Sequence, residues 1–228
     1  MAVDTLNELR SEIADTIRRN SLLQTVTRYS AGTVESAIDR AIQKAEKRIN
    51  RRLRVIELES STTITLASSV ASSTLPADFA GVRLIYRDSN PIVPITFQDP
   101  YTLFNTHPNT AQNSPENYTI HGIGANATNA KLITFRPVPS GSTSIVLWYY
   151  RTLEPLTDAN PTNTILTNYP DLYLYGALIE LMPYLRDDVR VQTWKGAFDE
   201  AIKDIEDDDS VTRWSGSPLV PVIGTTVV

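Results

Sequence analysis

The sequence predicts an α+β protein. A four-helix bundle is built from both chain ends, a small antiparallel β barrel or sandwich is inserted between its second and third helices, and an extended C-terminal arm follows. Three observations predict this. Helical apolar spacing fills residues 5–54 and 168–207. Short alternating runs rich in Ser, Thr and β-branched residues fill the stretch between, punctuated by Gly, Pro, Asn and Asp. The last stretch, 210–228, carries apolar side chains and almost no charge, unlike a free tail, which usually lacks apolar residues. The boundaries that follow are 1–55 and 168–209 for the two parts of the bundle, 56–167 for the inserted β domain, and 210–228 for a docking arm.

The first helix is expected over residues 5–19, where Leu6, Leu9, Ile13 and Ile17 recur at helical spacing and Thr5 and Glu8 are placed as a capping box. A second helix is expected from Thr33, with Val34, Ala37, Ile38, Ala41, Ile42, Ala45, Ile49 and Leu53 on one face. The alanines on that stripe permit close approach of another helix. Its far end is basic, with Lys44, Lys47, Arg48, Arg51, Arg52 and Arg54.

Strands are expected at 62–66, 82–87, 92–97, 117–122, 131–136 and 143–151, with a helical turn or loop at 99–109. Trp148, Tyr149 and Tyr150 alternate across the last strand, so one face is core and the other looks outward. Residues 152–168 read as a polar return loop. The third helix, 168–188, organises the rest. Pro170 suits the first helical position, and from Leu172 to Leu185 only Glu180 is clearly polar on a surface apolar all round. Such a helix must be covered on every side, by the other helices and by a neighbouring subunit or domain. Pro183 should bend or shorten it. A last helix is expected over 188–207, with Val191, Trp194, Phe198, Ala201, Ile202 and Ile205 on one face.

The net charge of −5 argues against a dedicated nucleic-acid binder, which is usually basic. The absence of cysteine excludes disulfides, thiolate metal sites and cysteine catalysis. The opening MAVDTLNELR lacks the basic and apolar regions of a signal peptide, and no run of apolar residues is long enough to span a bilayer, so a soluble protein made in a cytosol is expected. His107 and His121 lie beside turn residues, without the spacing of a metal or acid–base pair, and read as surface or structural histidines. Gly122 and Gly124 give GxG without the third glycine or following helix of a phosphate loop. No enzymatic activity and no cofactor is expected.

The basic end of the second helix is the best nucleic-acid candidate, but it has no interleaved aromatics to stack bases, and cations at a helix C-terminus are favoured by the dipole alone. The acidic run 206–209 is disfavoured at a helix C-terminus. Either the helix frays there or a basic surface faces it. Arg48, Arg51, Arg52 or Arg54, in the same or a neighbouring subunit, could supply that surface.

LPADF at 75–79, VRLIYRD, ENYTIHG, KLITFRPVPS and SIVLWYYR together resemble the β region of phage head-to-tail adaptor proteins. The string TNTILTNYPDLYLYGALIELMPYLRDDVRVQTW, with F-x-E-A-I at 198–202, is similar to the closing helices of the same group, which includes the tail tubular protein A of short-tailed phages. The resemblance spans residues 1–209. It implies a homo-oligomeric ring of about twelve copies at the head–tail junction of a virion. The portal protein lies on one side and the tail nozzle or a tail protein on the other, with DNA passing through without sequence-specific binding and no membrane involved. The residues assigned to subunit or portal contact are Arg48, Arg51, Arg52, Arg54, Asp207, Asp208, Asp209, Trp214, Leu219, Val222 and Ile223. The alternative is a β-domain binding module, for carbohydrate or host surface, on a helical oligomerisation stem. An enzyme using His107 or His121 comes third.

Overall fold

The computed structural model describes residues 3–17, 26–27, 34–35, 37–107, 112–122, 131–185 and 188–214. The chain divides into two compact units, Met1–Ile56 with Pro155–Val228, and Glu57–Glu154.

Helix α1 spans Leu6–Thr16 and buries Leu6, Leu9 and Ile13. The capping box forms: Glu8 accepts the backbone N–H of Thr5 at 2.9 Å, and the Thr5 hydroxyl accepts that of Glu8. Ile17 is the C-cap, so the helix ends three residues before the expected limit of 19. Strand β1, Val26–Thr27, pairs antiparallel with β2, Val34–Glu35. Val34 therefore belongs to a strand, and α2 runs over Ala37–Arg52 instead of starting at Thr33. The buried face of α2 is Ala37, Ile38, Ala41, Ile42, Ala45 and Ile49, joined by one carboxylate, Glu46.

A 3-10 turn at Ile56–Leu58 leads into β3 (Glu59–Leu66), β4 (Ser72–Thr74), β5 (Phe79–Arg87), β6 (Val93–Pro94) and β7 (Thr96–Phe97). Helix α3 follows at Pro100–Thr106, its N-cap Asp99 accepting the N–H of Thr102 at 3.1 Å. Then come β8 (Gln112–Asn113), β9 (Asn117–Gly122), β10 (Lys131–Arg136), β11 (Val138–Pro139) and β12 (Thr143–Arg151). Two four-stranded sheets form, in the orders β3-β12-β5-β6 and β4-β10-β9-β7. Pairing is antiparallel except for β7 with β9 and β8 with β11, which are parallel. Both sheets feed one core, with Ile64, Ile85, Ile145 and Leu147 from the first and Tyr118, Ile133 and Phe135 from the second. The barrel alternative is corrected here: no closed barrel forms among the described residues, since each sheet ends in edge strands.

The return segment 155–168 was expected as a loop of the β domain, yet it folds with the helices. Leu156, Ile165 and Leu166 are buried, and Asn163 caps a short helix α4, Thr164–Asn168, accepting the N–H of Leu166 at 2.8 Å. Helix α5, Pro170–Leu185, packs against α1, α2, α4 and the last helix, α6, Asp188–Trp214. The helices thus gather on one member, α5. Leu172, Tyr173, Ala177, Leu178, Leu181 and Met182 are all buried within the single chain, so these side chains need no neighbouring subunit to cover them, while Leu174 and Tyr175 stay partly exposed. At Gly176 both α2 and α6 come close to α5: a Cβ there would sit 3.0 Å from the Ala45 Cβ and 3.2 Å from the Phe198 ring. Helix α6 runs to Trp214, seven residues past the expected end at Asp207.

Candidate assembly interface

The helical period divides the basic end of α2 between two directions. Arg48 and Arg52, one turn apart, face α5 and α6. The Arg48 guanidinium pairs with Glu180, its Nε donating at 3.2 Å, and Arg52 pairs with Asp199. Both guanidinium carbons sit about 6 Å from the centroid of the Phe198 ring, at 6.0 and 5.8 Å. Arg54 donates to the carbonyls of Asn50 at 2.8 Å and Leu53 at 2.6 Å, satisfying acceptors left open at the end of α2. These three arginines are therefore engaged inside the chain. Lys44, Lys47 and Arg51, at i, i+3 and i+7, lie next to this pair but further round the helix from its buried face, and are exposed, with no carboxylate partner among the described residues.

The acidic run also divides. Because α6 continues to Trp214, residues 206–209 lie inside the helix, and the dipole penalty expected at a C-terminus does not apply to them. The last turn instead holds Arg213, the sign that the dipole favours. Asp209 is consumed locally: one oxygen accepts the backbone N–H of Ile56 at 2.7 Å and the other takes Arg213 Nε at 2.5 Å. Asp207 and Asp208 stay exposed. Within one chain, then, the arginines of α2 pair with Glu180 and Asp199, and Asp207, Asp208 and Asp209 take no part in those pairs. Glu180 and Asp199 were not singled out in the sequence. Glu180, alone among apolar residues on α5, was the available signal.

Trp214 is 72% exposed at the tip of α6, one turn beyond Val211, which is 68% exposed. Leu219, Val222 and Ile223 lie outside the described residues.

No group of three or more His, Asp or Glu residues that could hold a metal ion occurs among the described residues. His107 Nε2 lies 3.3 Å from the Asn117 amide nitrogen, and His121 Nε2 lies 3.0 Å from the Thr134 hydroxyl, so each imidazole has a structural partner. A surface groove of about 250 Å³ between α1 and the start of α5 is lined by Val3, Leu9, Glu12, Pro170, Asp171 and Leu174. It falls below the usual size of small-molecule pockets, and two carboxylates without a base or donor opposite them form no reactive pair. In the β unit, Trp148 stands opposite Leu84 on β5, and the two are 40% and 49% exposed, while Tyr149 is buried.

The family model for SU10 adaptor protein matches residues 4–222, nearly the whole chain. The chain belongs to the SU10 adaptor protein family. No curated protein matches the sequence. Membership makes the protein a phage structural adaptor and a virion component that works with other head–tail proteins, and it implies a role other than catalysis. The adaptor also has no described helix long and apolar enough to cross a membrane.

Proposed function

We propose that this SU10-family adaptor sits at the head–tail junction as a ring of about twelve copies, between portal and tail, and that DNA passes through the ring. One observation carries this reading. Among the described residues, the helical unit displays two exposed sets of opposite sign that are not paired with one another, Lys44, Lys47 and Arg51 on α2 and Glu206, Asp207 and Asp208 on α6. Surfaces of that kind on one molecule are complementary between copies arranged head to tail, which closes a ring when the rotation permits. Trp214, 72% exposed among the described residues, offers an apolar contact at the same end of α6, and the apolar Leu219, Val222 and Ile223 follow it in the sequence as candidates for contact with a portal or an adjacent copy. A net charge of −5 suits a conduit that lets DNA slide and does not grip it.

Sedimentation and negative-stain imaging of the protein, alone and mixed with its portal, test the reading. Rings that weaken with added salt and with Arg51→Glu, and recover when Asp208→Arg is added, are the expected outcome. A monomer under every condition, portal included, removes it.

The outward Trp148 and Leu84 favour a second reading, a β unit that binds a carbohydrate or host surface. Glycan binding lost in Trp148→Ala, without any ring, would support that one.

A further inference from the structure

Three of the four edges of the two four-stranded sheets are short. β4 has three residues, β6 and β7 have two each, and β6 contains Pro94. β3 is the exception. It is eight residues long, pairs along its whole length with β12 on one side, and has no strand on its other side among the described residues. A long edge is normally guarded by lysine, proline, a bulge or a covering element, because its free N–H and C=O groups will template another strand. β3 reads ESSTTITL, with one acid at its start and neither lysine nor proline. The register irregularities of its sheet lie between β12 and β5, away from this edge. Ser61, Thr63 and Thr65 along it are exposed.

We propose that this edge receives residues 222–228 of a second copy as an added strand. The segment VIGTTVV is uncharged, lacks proline, and is β-branched at every position except Gly224, the composition that a pleated, half-covered surface favours. No Asp, Glu, Lys or Arg occurs after Arg213, so nothing in the tail opposes its burial against the Ser/Thr-rich edge. Residues 215–221 separate the segment from the end of α6 and span up to about 25 Å when extended, enough to cross to a neighbour in contact. Backbone hydrogen bonds supply the affinity, and alternating side chains, Ile223, Thr225 and Val227 on one face, set the register. The proposal rests on the assembly reading above, which brings the second copy within reach.

The chain contains no cysteine, so introduced thiols report cleanly. Ser61→Cys, Thr63→Cys and Thr65→Cys are each mixed with Thr226→Cys under mild oxidation, with Ser11→Cys on α1 as the control partner. The expected result is a disulfide-linked heterodimer for at least one β3 variant, absent from each single variant and from the control. In a variant carrying Thr63→Cys and Thr226→Cys on the same chain, a link within one chain only overturns the proposal, since the tail would then belong to its own sheet. No link above the control in protein that forms rings overturns it while leaving the ring reading intact. Absence of any assembly, alone or with portal, removes both.

Discussion

One carboxylate oxygen of Glu46 accepts the backbone N–H of Leu156 at 2.7 Å, a bond that ties α2 to the segment by which the chain returns from the β unit. The Tyr173 hydroxyl also bonds to Glu46 and in turn accepts from Asn163 Nδ2 at 2.7 Å. Burial pushes the Glu46 carboxyl up to about 7, against the pull of the two hydrogen bonds. The neighbouring burial and the Glu46 carboxylate push the Tyr173 hydroxyl up as well.

The sign of the pH effect follows from this. Between the ordinary carboxyl value of 4.5 and about 7 the folded chain holds a proton that the unfolded chain has released. Stability from this group is fully present below that window and is lost as pH rises through it, by at most about 3 kcal/mol. Urea unfolding at pH 5 and pH 8 should show the loss in the natural protein and a flatter response in Glu46→Gln. Parallel profiles for the two would refute it.

Gly176→Ala should destabilise the helical unit even though alanine favours a helix by about 1 kcal/mol. The new methyl would meet a Cβ at 3.0 Å and a buried ring at 3.2 Å, and overpacking of that kind costs about 1–3 kcal/mol. A lower melting temperature is expected, with partial recovery in the pair Gly176→Ala and Ala45→Gly. An unchanged or higher melting temperature in the single variant would show that the helices yield.

Arg48 and Arg51 should separate folding from assembly. Arg48 is paired with Glu180, and both side chains are less than a third exposed, at 30% and 21%. Arg48→Ala strands the carboxylate and should cost about 1–2 kcal/mol in denaturant unfolding. Arg51→Ala, on the open edge, should leave the unfolding free energy within about 0.5 kcal/mol of that of the natural protein. Equal effects on unfolding would contradict the division of the helix into an inner and an outer face.

Asp209→Ala removes both the acceptor for Ile56 and the partner of Arg213. The last turns of α6 should then open, at a cost of about 1 kcal/mol. Hydrogen exchange should quicken for the amides of residues 209–214 and remain slow near Phe198. Unchanged protection at the helix tip would mean that Asp209 does not hold it.

Local chemistry was legible in the sequence. The capping box at Thr5 and Glu8 and Pro170 at the head of α5 are written in contiguous residues, and each forms as expected. The long strands β3, β5, β9, β10 and β12 followed from alternation, whereas β4, β8 and β11 are too short to show it, and the single strand expected at 92–97 divides at Ile95 into β6 and β7 of different sheets. What failed to show depends on residues far apart in the chain. The acidic run looked like a helix end because its acceptor role lies 153 positions away, at Ile56. Nothing near Glu46 in the sequence marks it as buried, because its partner Leu156 is 110 positions away. The partners of Arg48 and Arg52 were hidden for the same reason, at separations of 132 and 147. The two-residue strands β1 and β2 are too short to leave a period, and the five-residue α4 is hidden in its polar surroundings.

Tyr173 and Met182 are sealed inside a lone copy, so a docking partner need not open the middle of α5 to reach either side chain. A change at either position should be felt first in the stability of the single chain and only through that in anything the chain joins.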